Sequence, residues 1–310
     1  MRALLRLACL GLLGLVPAAA NADVWFVTVA GLGGEPDYEQ RFAGAAADLE
    51  RALKGASGTH VSTLSGPGAT RDAVRDALRE VAAKAGHDDV FVLTLIGHGS
   101  WDGVEYRFNL PGPDLDAGEI AALCGRIAAR QLLVVATSAG GGAIPALQAR
   151  GRAVVAATKS GSEKNATVFA RYWAEAFMDP AADTDKNQQL SALEAFQYAA
   201  AKTADFYTQQ KRLATEHAVF VEGEGQPVRT GTPSGDTGRL LASFTLLRGG
   251  GERAGSEDPA RRTLLTRKEQ LEQKIDLLKF QRAAMAPEEY RSQLTQALVE
   301  LAKVQGELDK

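Results

Sequence analysis

The sequence predicts an α/β fold with a mostly parallel sheet, and three observations carry that expectation. Short β-branched apolar runs alternate with stretches of helical spacing from Val24 to about Tyr207. Each run gives way almost at once to Gly, Ser or Thr. Two of the runs, FVLTLIG and QLLVVAT, are apolar nearly throughout, as strands covered on both faces must be.

In chain order the strands are expected from Val24 to Ala30, His60 to Leu64, Val90 to Ile96, Leu132 to Ala136 and Ala153 to Thr158. The helices are expected from Tyr38 to Leu53, Thr70 to Lys84, Asp116 to Ala129 and Asn165 to Met178, where Ala, Leu, Val and Phe recur at helical spacing. Beyond Lys211 the pattern weakens. Residues 222–260 are rich in Gly, Pro, Thr and charge and read as a loop or linker, with one further strand expected at 240–247. Residues 261–310 change to Leu, Glu, Gln, Lys and Arg. Leu264, Leu271 and Leu278 fall at heptad spacing, and a second Leu series follows the Ala286-Pro287 break. Two helices are expected there, as a hairpin or a short coiled coil, packing on their own domain or serving oligomerisation.

The first 22 residues, MRALLRLACLGLLGLVPAAANA, combine two arginines, a short apolar core and a small-x-small ending. They read as a secretory signal peptide cut before Asp23, and Arg6 three residues before Cys9 does not suit a lipobox. A periplasmic or extracellular protein is therefore expected. The mature chain of roughly 290 residues suits one large domain, residues 23–221, with an appendage. It keeps Cys124 alone, which excludes an internal disulfide. The net charge of -3, with signs interspersed, argues against nucleic acid as a partner. No other apolar run is long enough to span a membrane.

Candidate chemistry sits at two strand ends. The third strand stops on His98 between two glycines, and the fourth runs into TSAGGG with Ser138 in the corresponding place. In a parallel sheet such ends share one edge, where a nucleophile and its base can meet. The nearby glycines leave room for a substrate backbone and for N-H groups aimed at an oxyanion. The pattern G-x-S-x-G is absent, and a strand cap followed by a tight turn accounts for the same residues.

These residues carry a resemblance. VAGLGG after the first strand, a hydrophobic strand ending in HG, and a second ending in a small-residue turn resemble the legumain-like branch of the caspase-like cysteine peptidases. The resemblance spans roughly Trp25 to Tyr207 and implies a caspase-like three-layer sandwich. It places His98 and Gly99 on the family's histidine motif and Ser138 on its catalytic cysteine. The acidic residue before that cysteine is missing, and Gly33 falls where legumains have the asparagine that orients the histidine. The pocket arginine has no clear counterpart in EPDYEQR. A serine hydroxyl is far less acidic than a thiol and needs a well-oriented base, so the resemblance implies a degenerate peptidase before a serine-using one. Cys124 lies in a helical pattern and reads as core filler.

The segment DTDKNQQLSALE offers Asp183, Asp185, Asn187, the Gln189 carbonyl, Ser191 and Glu194 at positions one, three, five, seven, nine and twelve. That is the oxygen-ligand spacing of an EF-hand loop, so structural calcium is expected. Position six is Gln188 instead of glycine, which requires a left-handed backbone at a residue with a Cβ. Two functions follow as expectations. One is a calcium-stabilised binding or scaffolding protein that takes a protein or peptide in its cleft or on its C-terminal helices. The other is a hydrolase with His98 as base and Ser138 as nucleophile.

Overall fold

The computed structural model describes residues 22–229, 237–248 and 259–308. The expected signal peptide, apart from Ala22, lies outside the described residues, as do 230–236 and 249–258 of the expected linker.

The chain runs through β1 (Val24–Ala30), α1 (Pro36–Leu53), β2 (Thr59–Leu64), α2 (Arg71–Lys84) and β3 (Val90–Gly97). A small antiparallel sheet follows, β4 (Gly99–Trp101), β5 (Tyr106–Phe108) and β6 (Leu115–Asp116). Then come α3 (Ala117–Cys124), β7 (Arg130–Thr137), α4 (Ile144–Leu147), β8 (Arg152–Ala156) and α5 (Phe169–Ala176). After these lie β9 (Gln189–Ser191), α6 (Ala192–Gln209), β10 (Val219–Glu222), α7 (Arg239–Ala242) and β11 (Thr245–Arg248). Two long helices, α8 (Pro259–Gln281) and α9 (Pro287–Leu308), close the chain.

The main sheet has six strands in the order β10-β8-β7-β3-β1-β2, five parallel and β10 antiparallel at its edge. Side chains alternate between its faces. Val24, Phe26, Val92 and Ile96 pack under α1, α5 and α6, while Val27, Val29, Leu93 and Leu95 pack against α2, α3 and α4. Two apolar layers thus cover one sheet, a three-layer α/β sandwich whose mostly parallel sheet is the one the alternation predicts.

Local chemistry sets the ends of the elements. Thr70 accepts from the Ala73 N-H to cap α2, and Val74, Leu78 and Val81 form its buried stripe. Asp116 caps α3, whose Glu119 reaches across to Arg71 and Arg75 and ties α2 to α3. Helix α3 ends at Cys124, short of the expected Ala129. The Gln131 amide takes the carbonyls of both Cys124 and Ile127, so this turn is bound to the start of β7 instead of continuing the helix. Helix α5 begins at Phe169, four residues beyond Asn165. The strand expected at 240–247 divides in two. Glu222 accepts from Gly238 N and Leu241 N and so caps the single turn α7, which leaves Thr245–Arg248 as the strand.

The C-terminal helices form the expected hairpin. Ile275 and Leu278 of α8 pack on Ala297 of α9, with Leu294 and Leu301 alongside, and Arg267 pairs with Glu300 at 2.8 Å. Among the described residues no helix is long and apolar enough to cross a membrane.

Candidate functional site

The chain steps outward from β1 to β2 and then returns to β3 on the other side of β1. The strand order thus reverses between β1 and β3, the kind of place where ligands bind at the carboxyl edge of parallel sheets, and there Leu32 N bonds the Asn109 carbonyl and Asn109 N the His98 carbonyl. His98 stands at that point, one residue past β3. Its ring meets Tyr38 and Phe42 of α1 edge-on, with centroids 4.8 and 5.1 Å away. The Gly33 backbone lies close enough to the ring to favour its protonated form. The imidazole is half-buried, and desolvation holds its pKa below the ordinary histidine value. The Gly33 backbone and the carboxylates of Glu35 and Glu39 work in the opposite direction and do not overcome burial.

Glycine is required at position 33 by packing, since a Cβ there would lie 2.4 Å from the Glu39 nitrogen. The Glu39 carboxylate in turn accepts from Gly33 N and Gly34 N and closes the loop on the start of α1. The Gly33 backbone thus stands beside the histidine where the resemblance called for an asparagine side chain.

Ser138 is in a different situation. β3 and β7 pair in parallel through Gly97 and Thr137, so His98 and Ser138 each follow the last paired residue. Their side chains turn to different partners. Ser138 is only 2 % exposed, its hydroxyl donates to the Gly99 carbonyl at 3.1 Å, and it accepts from the Gly99 N-H at 3.1 Å. One serine hydroxyl thereby joins the ends of two strands.

The N-H groups around it are committed as well. Gly99 N goes to Ser138 Oγ, Ala139 N to the Glu163 carbonyl, Gly141 N to Thr158 Oγ1 and Gly142 N to the Ala139 carbonyl. An oxyanion hole needs donors aimed at the reacting atom, and these four are aimed into the protein. The glycines serve loop packing: a Cβ on Gly99 would lie 2.6 Å from the Ser138 carbonyl, and one on Gly142 would lie 2.8 Å from the Trp101 ring. Trp101 also covers Gly161, so its indole clasps the loops after β7 and β8 together. Asp102 accepts from Val104 N and Glu105 N and shapes the β4-β5 turn. Cys124 is buried away from this edge, and burial pushes its thiol up to about 12.

Three residues at the same edge carried no decisive sequence signal. Glu163, in the loop after β8, accepts from His217 Nδ1 at 2.5 Å and from His217 N and Lys159 N. Glu216 is 3 % exposed and accepts from Val168 N, Phe169 N and the Tyr207 hydroxyl. It supplies the cap of α5. Burial raises Glu216 from its ordinary value near 4.5 to about 7, while those three hydrogen bonds pull the other way. Fifty-four residues separate Glu163 from His217. Antiparallel pairing of β10 on β8 is what brings them together, and no local spacing could have indicated it.

The acidic loop lies apart from this edge. Carboxylate oxygens of Asp183, Asp185 and Glu194 lie within 4.8 Å of one another. Calcium-oxygen distances near 2.4 Å put ligands on opposite sides of one ion about 5 Å apart, so the donor set fits. Gln188 has φ +64° and Lys186 φ +62°, the left-handed turn that position six demands. Asp183 accepts from Asn187 N and Gln188 N, and Asn187 Oδ1 accepts from Gln189 N, so the loop is wound around its first carboxylate. Ser191 and Glu194 form a capping box that starts α6. Glu194 also takes Thr184 N and Thr184 Oγ1, which closes the loop from its last position to its second. β9 pairs with β11, and Leu190 is buried beneath it. The loop is therefore bound to the end of the α/β domain.

No family model matches the chain, and no curated protein matches it. Similar solved structures include protein GSU0716 from Geobacter sulfurreducens, at 15 % identity and TM-score 0.46, covering 74 % of this chain and 100 % of that one. The chain is also similar to the Drosophila initiator caspase Dronc, at 12 % identity and TM-score 0.42, covering 72 % and 84 %. Caspase-1 from Spodoptera frugiperda is similar at 11 % identity and TM-score 0.46, covering 67 % and 89 %. Likeness at that level says nothing about chemistry.

Proposed function

We propose that the protein is an exported binding or scaffolding protein, stabilised by calcium, with a caspase-like and legumain-like ground plan but without cysteine-peptidase chemistry. The observation that carries this reading is the buried Ser138 hydroxyl, which both accepts from and donates to the Gly99 backbone. A nucleophile must be free to lose its proton to a base and to reach a carbonyl carbon, and here the hydroxyl is a structural tie. The commitment of the surrounding N-H groups points the same way.

The ligand surface in this reading is the sheet edge at the loops after β1 and β3, with the C-terminal hairpin as a second surface. Its features suit an extended peptide: the half-buried Tyr38 and His98 rings, backed by the buried Phe42, with the exposed Leu32 and Glu35 nearby. Calcium, held by Asp183, Asp185, Asn187, the Gln189 carbonyl, Ser191 and Glu194, would fix the loop and the start of α6 as a structural ion.

One observation favours the hydrolase reading. Burial of the His98 ring favours its neutral form, which is the state a general base requires. Purified protein, Ser138→Ala and His98→Ala assayed on a peptide library with and without calcium separate the two. No turnover by the wild type supports the binding reading, and turnover abolished by both substitutions establishes the hydrolase.

A further inference from the structure

The opposite, amino-terminal edge of the sheet holds a charge arrangement that neither the His98 edge nor the acidic loop explains. Asp89, in the turn before β3, is half-buried and satisfied from three sides. Its Oδ1 accepts from the backbone nitrogen of Asp23 at 2.9 Å, and its Oδ2 accepts from Gly86 N at 2.9 Å and Trp25 Nε1 at 3.1 Å. Asp23 is fixed elsewhere too. Its carbonyl accepts from Val90 N, and its own carboxylate pairs with His60 Nε2 at 2.9 Å, while the His60 ring stacks on Trp25 at 3.8 Å. Ala22, the residue before, has one bond, from Arg248 Nη1 to its carbonyl. Asp23 is also the residue that follows the small-x-small pattern of the leader.

We propose that cleavage between Ala22 and Asp23 creates an α-ammonium that Asp89 holds as an ion pair, so that removal of the leader installs a stabilising charge at the start of β1. Before the cut, Asp89 receives a neutral amide N-H from this position. After it, the same nitrogen carries a full positive charge against a carboxylate, a charge-assisted bond in a half-buried setting. Peptide hydrolysis supplies the change: water oxygen joins the Ala22 carbonyl carbon as the C-N bond breaks, Ala22 leaves as a carboxylate, and Asp23 nitrogen takes both protons of the water to become the ammonium. The charged neighbours are Asp23, His60, Asp89 and Arg248. Arg248 Nη1 donates to the Ala22 carbonyl, a bond that the cut removes, whereas the Asp23 carboxylate pairs with His60. The cut thus places a new cation against the Asp89 carboxylate below the ammonium pKa. The inference rests on the export reading for where the cut is made in the cell, but the ion pair is testable without it.

The first test is the intact mass of the protein recovered after export from bacterial cells expressing the full gene. A chain starting at Asp23 is expected; a retained leader or a start at another residue overturns the proposal. The second compares a chain released from a fusion with Asp23 as its first residue against one that begins Asn21-Ala22-Asp23, each with and without Asp89→Asn. The Asp23 chain should melt about 2–4 °C higher at pH 7, the shift that about 1 kcal/mol produces in a domain of this size. That advantage should vanish in the Asp89→Asn pair, and it should fade as the pH rises past the ammonium pKa. An NMR titration of the Asp23 nitrogen gives a reading independent of stability, with its pKa expected above the usual α-amino range of roughly 7.7–8.0. Equal melting of the two chains, or an advantage that survives Asp89→Asn, excludes the ion pair even if the cut is found.

Discussion

Replacing Ser138 with alanine separates a structural hydroxyl from a catalytic one. The hydroxyl is buried and makes two hydrogen bonds, one to each backbone group of Gly99. A net hydrogen bond contributes about 1 kcal/mol, and a buried backbone group left without a partner costs about 1–3 kcal/mol. Alanine orphans both groups at once, so a loss of about 2–3 kcal/mol is expected after some local relaxation. In a domain of this size that lowers Tm by roughly 5–10 °C. Urea unfolding followed by circular dichroism measures the free energy, and calorimetry measures the Tm. Ser138→Cys should lose part of that stability as well, because a thiol is a weak donor, and it should not create peptidase activity. A Ser138→Ala protein as stable as wild type, within about 0.5 kcal/mol, would refute the reasoning, since a free surface hydroxyl behaves that way.

Other outcomes follow from the same geometry. Calcium at ten times its Kd should stabilise the protein by about 1.4 kcal/mol, seen as a rise in Tm over chelator, and Glu194→Gln should abolish the rise. No shift at millimolar calcium would end the calcium reading. Glu216 has a folded pKa raised to about 7, so the folded state binds its proton more tightly than the unfolded state does. Its contribution is full below pH 4.5 and is lost as pH rises to 7, a change of up to about 3 kcal/mol. Glu216→Gln should flatten stability between those pH values, and an unchanged slope in urea titrations would contradict the raised pKa. His98 has the opposite sign: its lowered pKa favours the folded state above the ordinary histidine value and is lost as pH falls through it. His98→Phe should remove that acid-side loss. Gly161→Ala should force Trp101 off the loops it covers and red-shift its fluorescence, and a spectrum matching wild type would refute the clasp.

The main sheet was legible because its strands are covered on both faces, so sequences such as FVLTLIG carry no polar alternation that could be mistaken for a surface strand. The position of His98 was legible for the same reason, as the first polar residue past a buried run. What Ser138 does was not. A hydroxyl at a strand end reads identically whether it faces a crevice or bonds to the neighbouring strand, and only the β3-β7 register decides. Glu163 follows a strand end and could be placed at the cleft from sequence, but its pairing with His217 was not legible, because β10, antiparallel at the sheet edge, brings the two together from distant segments. The strand misplaced at 240–247 shows another limit. Glu222 caps a helical turn there through two long-range hydrogen bonds that no local propensity contains. The acidic loop, by contrast, was legible to its backbone: the missing glycine at position six required a left-handed residue, and Gln188 is one.

The central claim is that Ser138 ties two strands and does not attack substrates. Incubation with a serine-directed acylating or phosphonylating probe, read by intact mass and peptide mapping, tests it most directly. The account predicts no adduct on Ser138 in the folded protein with or without calcium. A stoichiometric adduct on Ser138 that disappears in His98→Ala would contradict it and establish an active dyad.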